Sequence, residues 1–211
     1  MSRRRTPRKQ GMVHQENPQV RLVRLDEGST ETALLRRAAL EHDLPAEQLR
    51  FTGLPAQTLP DADGDPDSIP YAVVAGQGMP TEFPEARKRC AGFGVLDRVL
   101  PGSLVDAPDH AVLMRAFYIR PQWQGRGLGR ASCSAPLLDR LVVEIAPHAD
   151  RVVLCVGKAN IPAQRAYRAA GFDDTGNVVP GSAGLQDVMA RLLDTRDHLE
   201  PYTRHRRTEN S

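Results

Sequence analysis

Cysteine is scarce in this chain and poorly placed for structural chemistry. Cys90, Cys133 and Cys155 are odd in number, far apart and without a C-x-x-C, so neither a disulfide framework nor a zinc site is expected. Long apolar runs are missing too, and no stretch is apolar enough to span a bilayer. The basic opening "MSRRRTPRKQ" is followed by the polar "GMVHQENPQV", where a secretory leader needs an apolar segment. These absences make a reducing cytoplasm the expected location and exclude the membrane as a partner. Aromatic residues amount to 5%, and none interrupts the basic cluster Arg3, Arg4, Arg5, Arg8 and Lys9. Without stacking residues or a recognition fold, that cluster offers only unspecific, salt-sensitive attraction to phosphates, and nucleic acid is not the expected partner.

What is present fits one globular domain. A chain of 211 residues with 40% hydrophobic and 26% charged residues can bury a sizeable core. Its net charge of +2 hides an asymmetry, because the two ends hold much of the base while the middle is mildly acidic. Residues 1–18 and 196–211 read as flexible tails, and residues 19–195 as a single domain. No internal repeat is visible.

The order of elements is mixed. "VRLVRL" reads as a strand, and "DEGST" supplies a turn with Ser29 or Thr30 as N-cap of the helix "ETALLRRAALEHD". A short second helix is expected from Pro45. "LPDADGDPDSIP" reads as a loop. Its Asp61, Asp63, Asp65 and Asp67 do not make a calcium loop, since Pro66 stands where glycine is needed and Ala72 where the bidentate glutamate is needed. "YAVVAG" and "AGFGVLDRVL" read as strands joined by a long hairpin with a mobile tip at "QGMPTEFPEARKRC". "HAVLMRAFYI" and "RVVLCVG" are apolar on both faces, as strands in the middle of a covered sheet must be. Between them "RASCSAPLLDRLVVEIA" predicts a helix kinked at Pro136. "NIPAQRAYRAAGF" predicts a helix capped by Asn160 and closed at Gly171, and "LQDVMARLL" a last strand.

The stretch "RPQWQGRGLGRA" carries the chemistry. Gly125, Gly127 and Gly129 follow an apolar strand and open a helix, so bare backbone amides and the helix N-terminus converge on one point. Arg126 and Arg130 add charge suited to phosphate oxygens. The stretch is not a P-loop, and Ser132 breaks the dinucleotide fingerprint. It reads as a pyrophosphate cradle.

Gln124, Gly127 and Gly129 match the Q/R-x-x-G-x-G/A signature, and Asn160, Ala163, Tyr167, Gly171 and Phe172 match N-x-x-A-x-x-x-Y-x-x-x-G-F. With both segments in this order, the chain resembles the GNAT superfamily of acyl-CoA-dependent N-acetyltransferases, over roughly residues 93–172. The resemblance implies an α/β GNAT fold: a central, mixed but mostly antiparallel twisted sheet of about six or seven strands, flanked by about four helices. It implies acetyl-CoA as cosubstrate, no metal, and a primary amine of a small molecule or peptide as acceptor. Phe117, Tyr118 and Ile119 would then offer strand backbone to the pantetheine arm. Gln124, Gly125, Arg126, Gly127, Leu128, Gly129, Arg130 and Ala131 would hold the pyrophosphate. Asn160 and Ala163 would line the arm, and Tyr167 would protonate the departing thiolate. A homodimer is expected on symmetry and on the resemblance.

The base that deprotonates the amine has no clear candidate. Some members place a glutamate on the central strand or on the strand before Asn160, where this chain has Leu113 and Cys155. Asp97 at a strand end is a candidate that reads more readily as an exposed surface carboxylate, and His110 reads as a loop residue. The missing base leaves open a second expectation, a CoA-sensing or protein-binding module with little turnover. Cys133 and Cys155 are expected in the core.

Overall fold

The computed structural model describes residues 19–102 and 104–194; the basic tails assigned to residues 1–18 and 196–211 lie outside them. Seven strands form one sheet: β1 (Val20–Arg24), β2 (Ser68–Ala75), β3 (Cys90–Asp97), β4 (Ala111–Ile119), β5 (Arg151–Gly157), β6 (Asp173–Gly181) and β7 (Gly184–Leu192). The strand order is β1-β2-β3-β4-β5-β7-β6, antiparallel everywhere except between β4 and β5. This is the α/β architecture expected from the sequence, with β6 an added edge strand. Among the described residues no helix is long and apolar enough to cross a membrane.

Among the described residues seven α-helices accompany the sheet: α1 (Thr30–Leu40), α2 (Ala46–Leu49), α3 (Pro55–Asp63), α4 (Phe83–Arg89), α5 (Leu128–Cys133), α6 (Leu137–Ile145) and α7 (Ile161–Ala169). Alternation along the strands sorts the core into two faces. Tyr71, Val73, Leu96, Val112, Met114, Val152, Leu154 and Met189 pack with side chains of α5 and α6 on one face. Ala72, Val74, Phe93, Val95 and Tyr118 pack under α1, α3 and α4 on the other. All eight residues of β2 are buried, which explains why it reads as an unbroken apolar run.

Three local expectations change. The acidic segment read as a loop is helical through Asp63, because Pro55, Leu59 and Ala62 fall on one buried side at helical spacing and Pro55 takes the first turn. Pro60, inside α3, lacks the N–H that would bond to Ala56, and it faces solvent where that loss is tolerated. The hairpin tip holds α4, pinned because Arg89 donates to the carbonyls of Ala75, Gln77 and Gly78. The helix expected to kink at Pro136 is two helices, α5 and α6, with Pro136 as the N-cap residue of the second.

Gly94, in β3, is a strand glycine whose absence of a side chain makes room for a neighbouring ring. A Cβ there would meet the Tyr71 hydroxyl at 2.5 Å, so the glycine lets the Tyr71 ring lie across β3. Tyr71 is 0% exposed and its hydroxyl has no hydrogen-bond partner. A buried hydroxyl in that state costs about 1–3 kcal/mol.

The far end of the sheet is fastened by a buried ion pair. Asp139 of α6, 0% exposed, accepts from both terminal nitrogens of Arg191 on β7 and from the backbone N–H of Asp194 at 2.7 Å. Removing one partner leaves a buried charge uncompensated. Asp139→Ala is expected to lower unfolding free energy by about 3–5 kcal/mol in urea titration. The double replacement Asp139→Leu, Arg191→Met should lose far less, and a single-variant loss below about 1 kcal/mol would contradict a structural role for the pair.

Candidate active site

Four register pairs join β4 to β5, from Ala111↔Arg151 to Met114↔Leu154. Beyond them β4 continues to Ile119 against β3, while β5 continues to Gly157 against β7, and the two central strands no longer pair. A cleft opens in the middle of the sheet, with main chain on both walls. Its cause is local. The β3–β4 register shifts between Phe93 and Val95, and Ala116 opposite adopts φ 51, a left-handed conformation that costs a non-glycine residue energy. A bulge of this kind bends and overtwists its strand, which turns β4 away from β5.

The walls present hydrogen-bonding edges. Arg120 N–H donates to Ala91 O at 2.8 Å, so ladder alternation turns the N–H and C=O of Ile119, the preceding residue, away from β3 and toward the cleft. Phe117, two residues earlier, shares that orientation. Tyr118, between them, points its side chain to the opposite face, where its hydroxyl pairs with His42 Nδ1 at 2.7 Å. Sequence reasoning grouped the three residues; the structure gives Phe117 and Ile119 to the cleft and Tyr118 to its support.

The glycine stretch closes the wide end of the cleft. Gly125 and Gly127 have φ 72 and 78, two left-handed residues two apart, a backbone pattern that forms anion-binding concavities. Among the described residues, none of the backbone N–H groups of residues 125–130 donates to a protein acceptor. Leu128 is buried and anchors the turn, while Arg126 and Arg130 are exposed. The Arg126 guanidinium lies 5.0 Å from the Trp123 ring centre. Ala131 spends its N–H on Gly127 O at 3.0 Å, and so closes the first turn of α5 rather than adding a donor. The Gln124 side-chain amide donates to Ile119 O at 2.6 Å and Gln48 Oε1 at 3.1 Å. It ties the turn to the strand.

Helix α7 borders the β5 wall. Asn160 caps it by accepting from Ala163 N–H at 3.3 Å, and Ala163 packs on the core. Buried Gln164 donates to the carbonyls of Gly157 and Lys158 at 3.2 and 3.1 Å, fixing the end of β5 to the helix. Tyr167, on the same helix, packs between Phe117 and Phe172 with ring centres 6.3 and 5.9 Å away. Burial pushes its phenol well above the usual range, so it holds its proton at neutral pH. An aromatic contact thus joins the β4 wall to α7 across the cleft.

The acid–base inventory is sparse. Asp97 is not an exposed carboxylate: it accepts from Arg115 Nε at 2.5 Å and Ser68 Oγ at 2.6 Å, and its side chain is 14% exposed. His110 is an exposed residue before β4, as expected. Leu113 and Cys155 face the second side of the sheet beside Val153 and Val188, and burial pushes the Cys155 thiol up. Cys133 is buried in the first core as expected. Among the described residues no group of three His, Cys, Asp or Glu is placed to hold a metal ion. The short helix expected from Pro45 is α2, and its place at the rim had no sequence signal: α2 and Phe51 strap the cleft, with Gln48 bonded to Gln124 and the Phe51 ring filling the space a Gly157 Cβ would meet at 3.2 Å.

These observations fit a long ligand with an anionic end and an arm able to pair with β-strand backbone. A family model described as the acetyltransferase (GNAT) family matches residues 57–172. No curated protein matches the chain. Among solved structures, AAC(6')-Ib in complex with paromomycin and acetyl-CoA is 19% identical, covers 87% of this chain and 98% of its own, and superposes with a TM-score of 0.55. Spermidine N-acetyltransferase from Vibrio cholerae, in complex with CoA and spermine, is 14% identical, covers 82% and 95%, and has a TM-score of 0.52. At these identities the likeness is one of fold.

The His42–Tyr118 pair behind β4 generates a pH prediction. Burial first, then the nearby Arg120 charge, push His42 down from 6.5 to about 3. The unfolded chain therefore takes up a proton at His42 that the folded chain refuses, and stability falls as pH drops below 6.5. Between pH 6.5 and pH 4 the loss should be on the order of 3 kcal/mol, and it should be absent from His42→Asn. Urea unfolding of both proteins across this range measures the difference. Parallel pH dependences would contradict a buried neutral imidazole.

Proposed function

The chain belongs to the acetyltransferase (GNAT) family, and on that premise we propose that it moves an acetyl group from acetyl-CoA to a primary amine of a small molecule or peptide, by direct attack in a ternary complex. The observation that carries this reading is the run of uncommitted amides at residues 125–130, set at the open end of a cleft whose β4 wall turns the backbone of Phe117 and Ile119 inward. Gly125, Arg126, Gly127, Leu128, Gly129 and Arg130 would hold the diphosphate through their N–H groups, with the two arginine side chains adding charge at the rim. Phe117 and Ile119 would pair with the pantetheine as an added strand. The Phe117 N–H, near the narrow end, would bond the thioester carbonyl and oppose the charge that grows on its oxygen. Asn160 and Ala163 line the β5 side, and Tyr167, kept protonated by burial, hands its hydroxyl proton to the departing sulfur.

The amine must reach the carbonyl neutral. With an ordinary pKa near 10.4, only about one lysine-like amine in two thousand is neutral at pH 7, a cost of about 4.5 kcal/mol. Asp97 is engaged by Arg115 and Ser68, and Leu113 and Cys155 offer no base, so the acceptor loses its proton to solvent before attack. The two complexes described above hold paromomycin and spermine, both small molecules that carry amines, and a soluble amine of this kind is the class we assign here.

The test is thiol release from acetyl-CoA across a panel of polyamines, aminoglycosides, amino acids and peptides. Turnover with at least one amine is expected, with kcat/KM rising about tenfold per pH unit between pH 6 and 9 because no enzyme group sets a plateau. Tyr167→Phe should lower kcat about tenfold with little change in KM. Binding of acetyl-CoA without turnover on any amine would favour a sensor on the same fold, and no binding at all would remove the reading.

A further inference from the structure

Tyr71 has no part in the residues aligned with the family motifs, yet its place is unusual. It leaves β2 on the face covered by α5 and α6, crosses β3 over Gly94, and belongs to the cluster against which Phe117 and Tyr167 pack. Gly94 lies in the register gap between Phe93 and Val95, level with the bulge at Ala116 where the cleft begins. The ring therefore lies toward the narrow end of the cleft, on the face from which Tyr167 approaches. Its hydroxyl is completely buried and bonded to nothing, and among the described residues it is the one buried hydroxyl of a tyrosine left in that state. Substitution by phenylalanine would remove that penalty at no loss of packing, so the oxygen has a use the resting protein does not reveal.

We propose that Tyr71 is a positioning residue for protonation of the leaving thiol, acting through Tyr167. As the Tyr167 O–H bond breaks and its proton passes to the sulfur, the Tyr71 hydroxyl donates a hydrogen bond to the phenolate oxygen left behind and keeps its own proton. When Tyr167 is reprotonated from solvent, the Tyr71 hydroxyl is released to its unpaired state. The charge coupling between the two phenols agrees with this: after burial, Cys133 and Tyr167 are what hold the Tyr71 phenol above its usual range. A donor to a developing phenolate is charge-assisted, and such bonds exceed neutral ones in strength. The inference rests on the acetyl-transfer reading given above.

The experiment compares wild type, Tyr71→Phe, Tyr167→Phe and the double variant, by steady-state kinetics with the best amine of the panel and by thermal unfolding. Tyr71→Phe should lower kcat about tenfold with KM values for acetyl-CoA and amine within about twofold, while Tm is unchanged or raised. The double variant should be no slower than Tyr167→Phe alone, because the partner that Tyr71 serves is gone. Full kcat in Tyr71→Phe, a lowered Tm, or losses that add in the double variant would each overturn the assignment while leaving acetyl transfer intact. Absence of turnover by wild type with every amine would overturn the transfer reading, and this assignment with it.

Discussion

Everything at this site depends on two parallel strands ceasing to pair. A strand in the middle of a sheet ordinarily has its N–H and C=O groups taken on both sides, and unpaired edges are confined to the rim. Here the pairing of β4 with β5 stops at Met114↔Leu154, while β4 stays on β3 and β5 on β7. The result is an internal edge, shielded from other sheets by the helices on one face and the α2 strap at the rim, but able to receive one extended chain. A left-handed alanine and a register shift impose the separation, so the strain stored at Ala116 and the capacity to bind a ligand arrive together.

The supports around the cleft are built from pairs that are far apart in sequence. Gln124 closes the glycine turn onto Ile119, Gln164 fixes the end of β5 to α7, and the Tyr118–His42 pair backs β4 from behind. Because these bonds are mostly buried or half-buried and directional, they hold main-chain donors in place before any ligand arrives. Preorganised amides serve a developing negative charge better than mobile side chains, since no reorientation is needed when the charge appears. Among the described residues the N–H groups of residues 125–130 are spent on no protein acceptor, and ladder alternation turns the backbone of Ile119 inward.

Much of this was legible in the residues. Alternation and apolar runs marked the central strands, the glycines marked the turn, and Asn160 and Gly171 marked the ends of α7. What could not be read follows from interactions without a local pattern. The aspartates around Asp61 outweighed the helical spacing of Pro55, Leu59 and Ala62, so α3 passed for a loop. Asp97 looked exposed because Arg115 and Ser68, its partners, come from neighbouring strands. Tyr71 reads as any aromatic in a strand, and only its register against Gly94 shows where the hydroxyl lies. β6 was missed because its residues are largely exposed and carry no apolar alternation.

The central claim is that the parted strands and the glycine turn form one receptor for a thioester arm and its diphosphate. Backbone amide exchange, measured by nuclear magnetic resonance with and without acetyl-CoA, tests it most directly. The account predicts that added acetyl-CoA slows exchange and shifts resonances at Phe117, Ile119 and residues 125–130 together. Protection confined to other parts of the sheet, or amides at these positions that respond to nothing, would contradict it.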